Sequence, residues 1–221
     1  MGKAFVDDVH EPTAFEIRIG PFLYFAGDAT SDGGRAMLEK LTPYRLLMPS
    51  APGWVETAKA TYGERLAGFP RYSFSPVQVS AERLDHLCRA SAFREDVRQM
   101  DLPFATQLWG REHFVDFSDF DSAEDFVRRG VGFYLNRQGM IAGAAYSSLV
   151  CSRGIEVSVF VTEDHRRKGV ATVLACRLLQ WCMQNNAQAN WDAANPESCK
   201  LAEKLGYIQT GEYRAYYLKA E

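Results

Sequence analysis

The stretch from Val157 to Ala171, Val-Ser-Val-Phe-Val-Thr-Glu-Asp-His-Arg-Arg-Lys-Gly-Val-Ala, constrains the fold more than any other segment of the chain. Its apolar opening has a β-branched residue at every second position and predicts a strand; the polar residues after it predict a turn, and Gly169 with Val170 predicts a helix start. A helix beginning there presents backbone N–H groups that have no intrahelical partner, at its electrically positive end. A strand that delivers such an end makes a cradle for a phosphate. Gly169 places no Cβ in the way of a ligand, and Arg166, Arg167 and Lys168 add positive charge at the entrance. Beyond the cradle, Val170, Val173, Leu174, Leu178, Trp181 and Cys182 recur at helical period, so the helix is amphipathic and lies on a sheet.

The chain then supplies a short strand at Ala189–Ala193 and a helix with Asn195 as its cap and Pro196 as its first residue. Leu201 and Leu205 are that helix's apolar positions and Gly206 its left-handed stop. The order is strand, cradle, helix, strand, helix. Upstream, Val131–Leu135 and Met140–Leu149 form a hairpin about Asn136-Arg137-Gln138-Gly139, and Ile155–Val161 is the next strand. Two helices fall between Glu95 and Gly130, and Ser80 caps a helix to Arg89. The first part reads as strands at Phe15–Ile19 and Pro21–Ala26, a helix from Asp32 to near Leu41, a strand at Tyr44–Met48, a helix over Pro52–Leu66 and a strand at Tyr72–Phe74. The glycines at 27, 33 and 34 there are turn chemistry and follow no nucleotide fingerprint.

The spacing Arg166-x-x-Gly169-x-Ala171 matches the Arg/Gln-x-x-Gly-x-Gly/Ala pattern of the GNAT N-acetyltransferase superfamily. Asn195, Ser198, Ala202, Gly206 and Tyr207 fall on that family's Asn-x-x-Ala/Ser-x-x-x-Tyr-x-x-x-Gly-Phe run. From about Val131 to its end the chain therefore resembles this superfamily. The whole chain, with an amino-terminal αβ region ahead of such a core and the ending Trp191 to Tyr207, looks like the bacterial subgroup that includes the zwittermicin A self-resistance acetyltransferase.

The resemblance implies a mixed α/β sheet of the GNAT acyl-CoA N-acyltransferase fold, over residues 76–221, behind an amino-terminal αβ extension over 1–75. Whether that extension is a degenerate second copy of the same fold is left open. It also implies acetyl-CoA as cosubstrate and no metal. The cofactor's pyrophosphate would lie on Arg166, Arg167, Lys168, Gly169, Val170 and Ala171, and its pantetheine arm on the backbone of Val159, Phe160 and Val161. Asn195 and Ser198 belong to the second cofactor-side motif.

Strand alternation puts Glu156, Ser158 and Phe160 on one face and Val157, Val159 and Val161 on the other. A carboxylate in a cleft can take the proton that an attacking amine must lose, and the family often has a Glu near this place; Glu156 is the candidate base. The alternative is a solvated glutamate at a strand end beside Arg153. The family's frequent Tyr in the last helix is Ala202 here, and Tyr207 fills an aromatic slot that packs in the core. The general acid is thus unassigned: the thiolate is protonated by water or leaves unprotonated, an ordinary thiol pKa near ~8.5 making it a tolerable leaving group. The expected reaction is direct attack of a primary amine, in a small molecule or a peptide, on the thioester. The rival is a non-catalytic acyl-CoA-binding sensor, motivated by Ala202.

The run Asp116-Phe117-Ser118-Asp119-Phe120-Asp121 precedes the hairpin, where the family's acceptor site is bordered, and so would attract a cationic amine. Capping of the next helix accounts for it better, with Asp121, Ser122, Glu124 and Asp125 in place. Trp109 and His113 are further candidates for that cleft. A net charge of −3 provides no basic stripe for nucleic acid. No apolar run reaches the length of a membrane span, the amino terminus lacks a signal pattern, and five cysteines, an odd number with no paired metal spacing, read as reduced thiols. A cytoplasmic setting is expected, with a homodimer left open.

Overall fold

A computed structural model describes residues 2–43, 45–111, 115–137 and 139–220. In chain order the elements are β1 (Lys3–Val6), β2 (Ala14–Ile19), β3 (Phe22–Gly27), α1 (Asp32–Leu38), β4 (Leu46–Pro49), α2 (Pro52–Tyr62) and β5 (Leu66–Ser75). Then come α3 (Ala81–Arg89), β6 (Val97–Gln99), α4 (Leu102–Leu108), α5 (Ala123–Arg129), β7 (Gly132–Arg137), β8 (Met140–Cys151) and β9 (Gly154–Val161). The chain closes with α6 (Val170–Gln184), β10 (Gln188–Ala193), α7 (Pro196–Leu205) and β11 (Ile208–Leu218). Two compact units result, one of the residues up to Arg71 with those from Glu212 onward, the other running from Tyr72 to Gly211.

In the first unit β1, β2 and β3 pair antiparallel, β4 joins β3 in parallel, and β11 meets β4 at Tyr216 and Leu47. Alternation along β2 and β3 turns Ala14, Leu23 and Phe25 inward and leaves Phe15, Ile17 and Tyr24 exposed. The inward set packs with Leu38 of α1 and Trp54 and Ala58 of α2. β1 was not evident in the sequence because all four of its residues are exposed, so no burial rhythm marks it. The helix expected to reach Leu66 ends at Tyr62, because Gly63 at φ 54° breaks it, and β5 begins at Leu66 rather than at Tyr72.

The second unit is a mixed sheet in the order β5-β10-β9-β8-β7-β6. Only the β10–β9 pair in this row is parallel among the described ladders. α3, α6 and α7 cover one face through Leu84, Val173, Leu174, Leu178 and Leu205. Each such fully buried aliphatic side chain contributes about 1.5–3 kcal/mol. α4 and α5 cover the other face with Phe104, Leu108 and Phe126, joined by Phe117 and Phe120 ahead of α5, against Tyr146 of β8. Among the described residues no helix is long and apolar enough to cross a membrane.

Candidate active site

The site is built where two parallel strands part. β9 and β10 pair at Gly154 with Gln188, Ile155 with Ala189 and Glu156 with Asn190. Past that point Trp191, Asp192 and Ala193 pair with Phe74, Ser73 and Tyr72 of β5, while β9 continues to Val161 alongside β8. At the joined end the backbones approach so closely that a Cβ on Gly154 would sit 2.0 Å from the Gln188 carbonyl oxygen. At the parted end the edge of β9 turned away from β8 is released from the ladder. Because amides along a strand point alternately to its two edges, alternate N–H and C=O groups there are offered to a ligand lying in the gap. The register of β8 also slips between Ser147 and Leu149, making Ser148 a bulge, and the Ser148 hydroxyl donates to the Glu156 carbonyl at 3.4 Å. A bulge bends a strand and adds twist.

The open arm leads into α6. Thr162 ties the turn down: its N–H and hydroxyl both donate to the Ala142 carbonyl, at 3.0 and 3.1 Å. The hydroxyl also lies 3.0 Å from His165 Nδ1. Arg166 folds back so that its Nε donates to the Val161 carbonyl at 3.3 Å, and it, Arg167 and Lys168 are exposed. Arg167 and Gly169 take left-handed backbone, φ 58° and 88°. The glycine is needed for that conformation and not for room, since a Cβ there would meet nothing within 4 Å. α6 begins with no side-chain cap, unlike α1, α3, α4, α5 and α7, whose caps are Ser31, Ser80, Asp101, Ser122 and Asn195. Val170 is buried and seats the helix, so the positive end of α6 meets solvent with its first-turn amides uncapped by any side chain.

Glu156 is half-buried at the fork, and Asn190 Nδ2 donates to its Oε2. Ile155 and Val157, with Val159 and Val161, join the core under α6; Phe160 joins the core on the opposite face, beside Tyr146. Ser158 stands opposite Tyr146, whose hydroxyl accepts the Asp116 N–H at 2.9 Å. Burial pushes the Tyr146 phenol above its usual range.

The second motif is closed on itself. Asn195 Oδ1 accepts the Ser198 N–H at 2.8 Å, and Ser198 Oγ accepts the Trp191 indole N–H at 3.1 Å. Ala202 is fully buried. Tyr207 is 3% exposed, its ring lies 5.4 Å from that of Trp191, and its hydroxyl donates to the Ala189 carbonyl at 2.9 Å. Burial, with a smaller repulsion from Cys182 and Glu156, holds that phenol far above its ordinary value. Cys199 is half-buried and its thiol is also raised, by desolvation first and then by Glu203.

In the acidic and aromatic run, Phe117 and Phe120 point into the core; Asp119 reaches the Val150 N–H at 3.2 Å and Arg129 at 3.7 Å. Asp116 Oδ1 accepts from Ser118 N, Ser122 caps α5, and Asp125 accepts the Asp121 N–H while pairing with Arg129. The run is thus capping and packing, as the spacing of Ser122 and Asp125 suggested. Trp109 stacks on Phe117 at 5.2 Å, and His113 lies outside the described residues. Asn190 escaped the sequence reading, since nothing local distinguishes an Asn in a weak strand; only the register brings it to Glu156.

Comparison with known proteins fits this architecture. A family model described as GNAT acetyltransferase matches residues 1–216, and the chain belongs to that family. The match spans both units. An uncharacterised N-acetyltransferase, YdfB of Bacillus subtilis, is 25% identical over 98% of this chain and 85% of its own length. The crystal structure of a GCN5-related N-acetyltransferase-like protein from Streptococcus suis superposes with a TM-score of 0.85 at 28% identity, covering 99% of this chain and 89% of that one. A putative GNAT acetyltransferase from Novosphingobium aromaticivorans has a TM-score of 0.58 at 16% identity, over 97% and 91% of the two chains, and shares the fold. The fold is the mixed α/β GNAT fold.

Proposed function

We propose that this acetyltransferase moves the acetyl group of acetyl-CoA to a primary amine by direct attack, with Glu156 as the base. The observation that carries the reading is the parting of β9 from β10 immediately after Glu156, on the arm that ends at the uncapped start of α6. The amides of that start, with Arg167, Lys168 and the outer nitrogens of Arg166, suit a pyrophosphate. The released edge of β9 from Val159 to Val161 suits an amide-bearing arm, as one strand suits another. Asn195 and Ser198 serve this side by closing and seating the start of α7, their side chains being engaged in the cap, and not by touching the cofactor.

When bound, acetyl-CoA supplies a thioester carbonyl. β9 amides would donate to its oxygen as negative charge develops there. Glu156 takes the proton of the incoming ammonium, directly or through water, leaving a neutral amine to attack. Ala202 has no proton to give, and the Tyr207 hydroxyl is committed to the Ala189 carbonyl, so protonation of the thiolate is left to water. The acceptor class is a small-molecule or peptide amine, for which the zwittermicin A self-resistance subgroup is the working comparator; the setting is read as cytoplasmic, where five free thiols stay reduced.

Thioester consumption measured across a panel of primary amines tests the proposal. Amine-dependent loss of acetyl-CoA, abolished in Glu156→Gln, is the expected result. Tight acetyl-CoA binding with no turnover on any amine would favour a sensor instead.

A further inference from the structure

We propose that Asn190 is a positioning residue for the transfer, its side-chain amide fixing the Glu156 carboxylate at the fork of β9 and β10. The inference rests on the reading of Glu156 as base. The two residues are register partners, so their side chains leave the same face of the sheet, and Asn190 Nδ2 donates to Glu156 Oε2. Asn190 is carried on a pinned piece of backbone. On one side of it the Ala189 carbonyl accepts the Tyr207 hydroxyl; on the other Trp191 pairs with Phe74 and is anchored by Ser198. A glutamate side chain has three rotatable bonds and loses its aim readily, so a donor on a fixed strand restores the aim that proximity catalysis needs. The choice of an amide matters chemically. It donates to a carboxylate without taking a proton at any working pH, and therefore holds the base without consuming it.

A hydrogen bond to the charged form favours that form. Removing it should raise the titration midpoint of Glu156, and placing a carboxylate at position 190 should raise it further. The titratable groups on the surrounding elements are Asp192 on β10, Arg153 before β9, Asp119 at β8 and Tyr207, the last kept neutral by burial. None of them is altered by the substitution.

The test is NMR titration of the full chain labelled at the glutamate carboxyl carbon, with the Glu156 resonance identified by its absence from Glu156→Gln. In Asn190→Ala the midpoint should rise by about 0.5–1 pH unit, and in the isosteric Asn190→Asp by more. Either variant suffices if the other misfolds. With acetyl-CoA and whichever of kanamycin, spermidine or a lysine peptide is turned over fastest, Asn190→Ala should lower kcat about 5- to 30-fold, leave KM for acetyl-CoA within about twofold, and move the acidic limb of the profile in the same direction. Equal midpoints in all three proteins, or a loss of activity that follows melting temperature without a shift in the limb, would overturn the assignment. If Glu156→Gln keeps full turnover, it is the base reading that falls, and the NMR result still decides whether Asn190 governs the carboxylate.

Discussion

β9 and β10 run side by side in the same direction and each hands the chain to a helix, yet the two junctions are built in opposite ways. At the end of β10, Asn195 caps α7 with its own side chain, Pro196 follows at the first turn, and Ser198 is bonded to Trp191. At the end of β9, α6 starts from a left-handed glycine with no side-chain cap, beside three exposed cations. One junction completes its own hydrogen bonding. The other leaves an electrically positive end to solvent, where a bound anion would take the place of water at the first-turn amides. The two strands are joined below Glu156 and separate above it, so the open junction and the candidate base belong to the same arm.

The largest effect that would break this contrast is at the fork. Glu156→Gln should lower kcat by about 10²–10⁴ with little change in acetyl-CoA affinity; a change below about threefold at every pH would make Glu156 a structural residue. Next comes the open junction. Gly169→Val forces a β-branched residue into φ 88° and should weaken acetyl-CoA binding about 10- to 100-fold by calorimetry while the fold survives. Equal affinity in the folded variant would remove the cradle from α6. The closed junction should respond the other way round: Asn195→Ala loses a cap, costing about 1 kcal/mol of unfolding free energy, and leaves acetyl-CoA affinity within about twofold. A large loss of affinity there would mean that the two junctions share the ligand. Smallest of all is Tyr207→Phe, which gives up one neutral hydrogen bond worth about 1 kcal/mol and should keep turnover within about threefold. Turnover abolished with binding and melting temperature intact would make Tyr207 the acid.

What was legible in the sequence follows from how local the determining physics is. The cap at Asn195, the stop at Gly206 and the stripe of Val170, Val173 and Leu174 obey rules that act within one or two turns, and they stand in the structure as the spacing predicted. The hairpin of β7 and β8 and the place of β9 were readable for the same reason. β6 has three residues and β1 no buried face, so neither leaves a period to detect. The fork itself leaves no local mark in the sequence. β10 lies between β9 and β5, and its pairing with Tyr72–Phe74, more than a hundred positions away, and with Gly154–Glu156 is set by partners that no window along the chain contains. The bond from Asn190 to Glu156 spans 34 positions and was invisible for the same reason.

Amide hydrogen exchange with and without acetyl-CoA tests whether acetyl-CoA lies along the open arm. New protection is expected at Val159–Val161 and at Gly169–Thr172, with the first turn of α7 from Glu197 to Cys199 unchanged. Protection at the start of α7 with none at the start of α6, or no change at either junction under saturating acetyl-CoA, would contradict it.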